Sequence, residues 1–310
     1  LVFTGTNTMV KKRQLDMLKE IYHLNMQVAI VAAVATDAVI ENVNITGGTL
    51  KVTKSQTTPA GFIAANLAGS TVSKCSAAGT LTHAGASAEL NVGGLVGQVN
   101  TSEISGCTSD VDVTITAASR VVSGFIGSIR STSTVIDCSS TGKLIASVEG
   151  RYSGGFIAYV AGANSVIKNC TCKADVSGMG DNCGGMFGSI RGSNGVRVEN
   201  CHYEGNFTTA DASKKGNQGS LIGGLESADV VITGCSAKGN VEIIYNHDYV
   251  GGIVGAVGNG AELLISDNSN GGKIAYDCAT TRTSDDEGRI FAIGGVVGYT
   301  GTCSGKIQGN

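Results

Sequence analysis

Tryptophan is absent from this 310-residue chain, proline occurs once, and aromatic residues together make up only 5%. Charged residues make up 15% and the formal net charge is −3, so the sequence offers no basic face of the kind that nucleic-acid binding requires. No apolar run reaches the 18 residues expected of a membrane-spanning helix. The chain does contain 42% hydrophobic residues, enough for a continuous core, and 46 glycines.

The glycines recur in one motif, which reads Gly-Gly-Leu-Val-Gly in its clearest copy. Its nine copies are Val28–Ala32, Ala60–Ala64, Gly93–Gly97, Ser123–Gly127, Gly154–Ala158, Gly184–Gly188, Gly219–Gly223, Gly251–Gly255 and Gly294–Gly298. Successive copies begin 30 to 43 residues apart. A repeat of this length predicts a solenoid, a propeller or another repeat array.

A second signal, apolar-x-x-Cys, follows most of the glycine motifs at a steady distance. It ends at Cys75, Cys107, Cys138, Cys170, Cys201 and Cys235, and we assign Cys303 to the same place in the last copy. Val43 and Asn268 occupy this place in the first and eighth copies. The two signals share one period, which strengthens the prediction of a repeat.

Each repeat contains three strand signals: the glycine motif, the apolar-x-x-Cys stretch and an alternating run such as Val111–Ile115. Alternation indicates a strand with one buried and one exposed face. We therefore predict an all-β fold, a right-handed parallel β-helix of about nine coils, in which residues 28–310 form one elongated domain. A propeller is the rival architecture, but its blades have four strands and longer repeats.

Residues 1–27 interrupt the repeat. We predict a short strand followed by a helix over residues 9–24, with Thr8 as N-cap. The apolar stripe of this helix consists of Leu15, Leu18, Ile21 and Tyr22. Such a helix would cap the open core of the first coil, as repeat arrays require; the alternative is a helix on a membrane surface. The chain begins at Leu1 and shows no signal peptide, so we expect it to be a mature or excised part of a longer protein.

Seven of the ten cysteines lie on the second ladder. Stacked strands are about 4.8 Å apart, but parallel Cβ vectors fit disulfide geometry poorly. We therefore predict free, inward-facing thiols, chosen because a compact apolar side chain fits where a larger one would not. Cys172, Cys183 and Cys278 lie off the ladder, and a bridge between Cys172 and Cys183 remains open.

The combination of Gly93–Gly97, the apolar-x-Asn-Cys stretch Ile167–Cys170 and the Gly-x-Val stretch Gly239–Val241 resembles the Glug motif. The resemblance extends over roughly 28–310. It implies a secreted or surface-attached bacterial β-helix, because such repeats occur in adhesin-like proteins and in the non-catalytic stalk of some immunoglobulin A peptidases. It implies no chemistry by itself.

The sequence contains little that indicates catalysis. The four histidines are scattered, so we predict no metal site and no cofactor. Polysaccharide lyases and hydrolases do occur on β-helices, and Asp110 with Asp112, or Asp285–Glu287, are the carboxylates that could serve one. This glycan-active enzyme is our alternative hypothesis.

The densest aromatic and polar cluster is Tyr245, Asn246, His247, Asp248 and Tyr249, a composition suited to stacking on sugars and hydrogen bonding to them. Two polar insertions, Thr208–Gln218 and Thr280–Gly288, also precede glycine motifs and are expected at one edge of the solenoid. We therefore predict a non-catalytic cell-surface or secreted module for adhesion or ligand presentation. Its expected partner is a host or matrix glycan or protein.

Overall fold

The computed structural model describes residues 2–11, 14–15, 21–22, 29–52, 59–84, 87–117, 119–146, 150–178, 180–209, 216–226, 228–244, 249–277 and 292–310. Within these ranges all regular secondary structure is β, in 41 strands that form three sheets. The described ranges therefore contain no helix long and apolar enough to cross a membrane.

Three parallel sheets run the length of the stack, and we call them I, II and III. Sheet I contains β1 (Val2–Lys11), β4 (Ala32–Glu41), β7 (Ala64–Ala68), β8 (Thr71–Ser73), β11 (Val96–Asn100), β12 (Glu103–Ser105), β15 (Ile126–Ile129), β16 (Thr134–Ile136), β20 (Ile157–Val160), β21 (Val166–Lys168), β25 (Phe187–Arg191), β26 (Val196–Glu199), β30 (Ile222–Glu226), β31 (Asp229–Thr233), β35 (Val254–Val257), β36 (Glu262–Ser266), β40 (Val297–Thr300) and β41 (Ser304–Gln308). Sheet II contains β10 (Ser87–Gly93), β14 (Ser119–Ser123), β19 (Gly150–Gly154), β24 (Gly180–Gly184), β29 (Asn217–Gly219), β34 (Tyr249–Gly251) and β39 (Ala292–Gly294). Sheet III contains β2 (Gln14–Leu15), β3 (Ile21–Tyr22), β5 (Asn44–Ile45), β6 (Thr49–Val52), β9 (Ser76–His83), β13 (Thr108–Ile115), β17 (Ser139–Ser140), β18 (Leu144–Ala146), β22 (Thr171–Cys172), β23 (Val176–Ser177), β27 (His202–Tyr203), β28 (Phe207–Thr209), β32 (Ser236–Ala237), β33 (Val241–Ile244), β37 (Ser269–Asn270) and β38 (Ile274–Asp277).

Each coil passes through sheet II, then sheet I, then sheet III, and every strand pairs with its equivalent in the neighbouring coil. Val96 of β11, for example, lies beside Ala64 of one coil and Ile126 of the next. The prediction of an all-β parallel solenoid is confirmed. The structure has about seven complete turns where the sequence predicted about nine coils. A complete turn needs a strand in each sheet, and sheet II has seven described strands whereas the other two sheets continue further.

The interior between the sheets is one continuous apolar cluster. Successive side chains along a strand point alternately into this cluster and into solvent. In β13, Val111 and Val113 are fully buried, whereas Asp110 and Asp112 are exposed. Aromatic rings stack from coil to coil inside, with Phe125 and Phe156 centroids 4.6 Å apart. Burial of these side chains is the main favourable contribution to folding.

The predicted helix over residues 9–24 is wrong. The described residues of this segment are strands: β1 pairs with β4, β2 with β5 and β3 with β6. Leu15 lies in register with Ile45 and Ile21 with Leu50, so the same apolar residues that suggested a helical stripe fit one more coil. A single helix of this length is marginal in water, whereas the edge of β4 offers a complete row of backbone hydrogen-bond partners.

Candidate functional site

From Gly93 onward, each glycine motif lies where the chain leaves sheet II and enters sheet I. A Cβ added to Gly93 would lie 2.0 Å from the carbonyl oxygen of Val96, and one added to Gly154 would lie 2.5 Å from that of Ile157. No real Cβ tolerates such distances, so glycine is required for this sharp corner. The corner repeats in successive coils and brings the outer faces of the two sheets toward each other.

Two columns of outward side chains line this corner, and together we call them the corner groove. The sheet II column is Asn91, Val121, Tyr152, Asn182, Asn217, Tyr249 and Ala292. The sheet I column is Gln98, Ser128, Tyr159, Ser189, Gly224, Ala256 and Tyr299. Neighbouring members of a column are about 4.8 Å apart, the strand spacing of a sheet.

Side chains of the two columns meet across the corner. Asn91 Nδ2 donates to Gln98 Oε1 at 3.1 Å, and the rings of Tyr152 and Tyr159 stack with centroids 4.8 Å apart. Val121, Tyr152 and Tyr159 belong to a small apolar cluster separate from the main core. The outer side chains of the two sheets therefore pack against each other along this corner.

The groove has a closed floor and an accessible rim. Asn91 and Tyr152 are each 4% exposed, whereas Gln98, Tyr159 and Tyr299 are half-buried. Near the far end the ring of Tyr249 stacks on that of Tyr299 in the next coil, with centroids 4.2 Å apart. Aromatic faces next to amides offer a ligand both stacking and hydrogen bonding.

The structure describes only one residue of the predicted ligand cluster. Tyr249 opens β34 and lies in the corner groove. Tyr245, Asn246, His247 and Asp248 lie outside the described residues, as do residues 210–215 of the first predicted polar insertion and the whole of the second, Thr280–Gly288. Their assignment to a ligand site stays a prediction.

Three arginines surround the Tyr152–Tyr159 pair. The guanidinium carbon Cζ of Arg130 lies 4.8 Å from the centroid of the Tyr159 ring, and that of Arg151 lies 5.4 Å from the centroid of Tyr152. Arg191 Nη1 donates to the hydroxyl of Tyr152 at 3.3 Å. We call Arg130, Arg151, Tyr152, Tyr159 and Arg191 the arginine–tyrosine cluster.

Sequence reasoning missed this cluster because its members come from three successive coils, with Tyr152 and Arg191 separated by 39 residues. The sequence does contain a signal for the corner groove, which can be recognised once the register of the strands is known. The residue two positions before the motif's glycine is outward in each coil, and it is Tyr or Asn in five of the seven: Asn91, Tyr152, Asn182, Asn217 and Tyr249. Tyrosines and amides in such a column indicate a surface used for contact.

The six cysteines from Cys75 to Cys235 occupy one buried column at the turn between sheets I and III. The column is held by hydrogen bonds: the Cys107 N–H donates to Cys138 Sγ at 3.4 Å, and the Cys138 thiol donates to the Ile136 carbonyl at 3.1 Å. Contact with the thiols of Cys107 and Cys170, together with burial, raises the pKa of Cys138. Cys172 and Cys183 are also free and buried, so the open bridge between them is not formed, and Cys278 lies outside the described residues.

The assignment of Cys303 to this column is wrong. The register places Gln308 beside Ser266, so Asn310 follows Asn268 in the column and Cys303 lies half-buried before β41. The cause is the insertion ahead of the last coil, which lengthens the final step to 42 residues, from Asn268 to Asn310. The shorter spacing between column residues in the preceding coils would place Cys303 at this position instead.

The structure also corrects the steric reason given for the column. Asn268 Oδ1 accepts the Cys235 N–H at 2.9 Å, and its Nδ2 donates to the Ile232 carbonyl at 3.1 Å. Asn310 repeats this pattern one coil further on, accepting from the Asn268 N–H at 3.0 Å. From Cys75 onward the position therefore holds a side chain that can accept one hydrogen bond and donate another, whereas the buried Val43 of the first coil does neither.

A positive φ angle precedes the column in every coil from the first to the last described. The residues with this conformation are Asn42, Lys74, Gly106, Asp137, Asn169, Asn200, Gly234, Asp267 and Gly309. Asn, Asp and Gly are the residues that tolerate it best. A second column of serines, Ser70, Ser102, Ser133 and Ser165, receives backbone N–H groups in the same manner five residues earlier.

The carboxylates considered for catalysis serve neighbouring coils instead. Asp110 accepts from the Thr141 hydroxyl at 2.8 Å, and Asp112 accepts from the Lys143 N–H at 2.8 Å. Asp285–Glu287 lie outside the described residues. Across the described ranges, no three His, Cys, Asp or Glu side chains are grouped as a metal ion would require.

These features define a parallel β-solenoid whose coils turn at glycine pairs. Residues 88–115 match the family model of the GLUG motif, which confirms the resemblance predicted from the sequence. A similar solved structure is the crystal structure of a proposed immunoglobulin A1 protease from Bacteroides ovatus, with 16% identity and a TM-score of 0.41 over 85% of this chain and 69% of that chain. No curated protein matches this chain.

Proposed function

We propose that this chain is a non-catalytic module of a secreted or cell-surface bacterial protein, used for adhesion or ligand presentation. Its binding surface is the corner groove, and its ligand is a carbohydrate of a host or matrix. The observation that carries this proposal is the rim of stacked tyrosines and amides, with Tyr249 on Tyr299 at one end. The fold and the GLUG motif agree with such a role.

The periodicity of the groove favours an extended ligand. Hydrogen-bonding side chains recur with each coil, and Asn217 Nδ2 donates to Asn182 Oδ1 at 2.7 Å between adjacent coils. Accessible polar or aromatic side chains lie along the groove at Gln98, Tyr159, Asn217, Tyr249 and Tyr299, whereas Ser128 and Ser189 are fully buried. A linear polysaccharide lying along the groove would therefore meet accessible groups in several coils. A small, isolated ligand would use only a fraction of this surface.

The glycan-active enzyme gains no support from the described residues. Glycoside hydrolysis needs a pair of carboxyl groups that face one bond. The carboxylate that lies beside the groove, Glu226, is 3.0 Å from Arg191 Nε in an ion pair. Non-catalytic binding is therefore the function that the groove supports best.

A glycan panel scored for both binding and product release tests the proposal. The variant Tyr249→Ala with Tyr299→Ala should weaken binding about tenfold or more, since each ring contributes about 1 kcal/mol to a stacking contact. Ile145→Ala removes an exposed apolar side chain, 42% accessible, from sheet III and is the control. Equal binding by the double variant, or release of shortened sugars by the native protein, would contradict the proposal.

A further inference from the structure

The arginine–tyrosine cluster is a stack of four planar groups. Tyr152 and Tyr159 stack on each other at 17°, Arg130 lies over Tyr159 and Arg151 lies over Tyr152. Arg130 is also held by its hydrogen bonds, from Nη2 to Asn91 Oδ1 at 3.2 Å and from Nε to Ser128 Oγ at 3.3 Å. Cation–π contacts and hydrogen bonds therefore fix these guanidinium groups before any ligand arrives.

The positive charge of the cluster is only partly neutralised. Arg191 is paired with Glu226, with 3.0 Å between Nε and Oε2. The described residues give no carboxylate partner to Arg130 or Arg151. Burial raises the pKa of Tyr159, so its phenol stays protonated at neutral pH and adds no negative charge. Two unpaired cations in a chain with a formal net charge of −3 are a local feature and not a consequence of composition.

We propose that the arginine–tyrosine cluster is a subsite for the carboxylate or sulfate groups of an acidic polysaccharide. A guanidinium group offers a planar fork of N–H donors that matches both anions. This inference rests on the proposed function, because it names the class of glycan that the corner groove takes. It adds charge recognition to a surface otherwise made of tyrosines and amides.

The placement of the arginines favours a polymer with repeated charges. Arg130, Arg151 and Arg191 belong to three successive coils, so the cluster extends about 10 Å along the groove at the spacing of parallel strands. Amides and tyrosines of the rim continue on both sides, as hydroxyl-rich sugar units would require. A nucleic acid would need a basic face over many more coils than these three.

Binding of dextran sulfate and polygalacturonate, compared with neutral dextran, tests the inference. The native protein should prefer both acidic polymers, and the preference should fall with added salt. Arg130→Gln with Arg151→Gln should weaken binding of the acidic polymers about tenfold or more, as expected when hydrogen bonds to charged groups are lost. Melting temperatures would verify that the variants are folded.

The matched control is Lys168→Gln with Arg197→Gln, which removes two positive charges where both side chains approach Glu199 in sheet I, away from the groove. The control should bind as the native protein does. Equal weakening by the control would show that overall charge alone is responsible and would overturn the subsite. Equally tight binding of poly-L-glutamate would overturn the choice of a polysaccharide.

The failure of this inference and that of the proposed function give different results. When the native protein binds neutral glycans through Tyr249 and Tyr299 but shows no preference for acidic ones, the subsite is wrong and the glycan-binding function stands. When no glycan of either kind binds, both are wrong.

Discussion

At the scale of single residues, one position in the turn between sheets I and III is filled by cysteine in six coils and by Asn268 and Asn310 in the next two. The hydrogen-bond partners that decide the residue type there lie in the neighbouring coils. The spacing of apolar-x-x-Cys therefore predicts the shared position but not the reason for the residue type. Asn268 supplied the explanation, since it makes the same two kinds of hydrogen bond with an amide that its neighbours make with a thiol.

Replacing Asn268 measures how much these two hydrogen bonds contribute to the free energy of unfolding. Asn268→Ala leaves the Cys235 N–H and the Ile232 carbonyl buried without these partners and should lower the free energy of unfolding by about 1–3 kcal/mol. Asn268→Cys restores the side chain of the six preceding coils and should recover most of the loss. Urea unfolding of both variants checks this, and equal midpoints would show that hydrogen bonding is irrelevant here.

At the scale of strands and turns, the glycine pairs both build the corner and create the groove. A corner this sharp brings backbone atoms together, as in Gly154, whose added Cβ would lie 2.8 Å from the Gly188 nitrogen and from the Met186 oxygen. These contacts come from the next coil, so each pair also fixes the spacing between coils. The tight turn and the binding surface are therefore two consequences of one motif.

Gly154→Ala should lower the free energy of unfolding by about 1–3 kcal/mol, because the added methyl group overlaps with backbone atoms that cannot move aside. Gly47→Ala is the control, since nothing lies within 4 Å of its added Cβ, and it should be neutral or stabilising by up to about 1 kcal/mol. Thermal unfolding of the two variants separates them. Equal melting temperatures would contradict the requirement for glycine at the corner.

The strands were predictable where the repeat was regular and not where it was degenerate. Periodicity placed β13 correctly, because Val111–Ile115 is an alternating run with one buried face. The segment 9–24 has lost the glycine motif, and its apolar spacing suits a helix equally well, so only the pairing of β1 with β4 decides between them. The groove was not predictable, because facing side chains come from different sheets and coils.

At the scale of the whole molecule, every coil depends on its neighbours for both hydrogen bonds and core packing. A buried polar side chain that lacks a hydrogen-bond partner is therefore a weakness of the entire stack. His83 is such a residue: it lies in register between Val52 and Ile115, is fully buried, and finds no partner for either ring nitrogen among the described residues. Burial lowers the pKa of His83 to about 4.

This shift makes the stability of the solenoid depend on pH in a defined window. The unfolded chain binds a proton at His83 below about pH 6.5, whereas the folded chain does not until about pH 4. The contribution of neutral His83 to stability is therefore fully present above about pH 6.5. As the pH falls toward 4, the free energy of unfolding decreases by about 3 kcal/mol because of this residue. Unfolding by urea at a series of pH values from 7 to 4 measures the loss.

The variant His83→Val isolates this contribution from carboxylates that titrate in the same range. Valine matches Val52 in the adjacent coil, so the variant should be at least as stable as the native protein at pH 4 and should show a much flatter pH profile between 6.5 and 4. An unchanged profile in His83→Val would mean that the buried imidazole does not limit the acid stability of the stack.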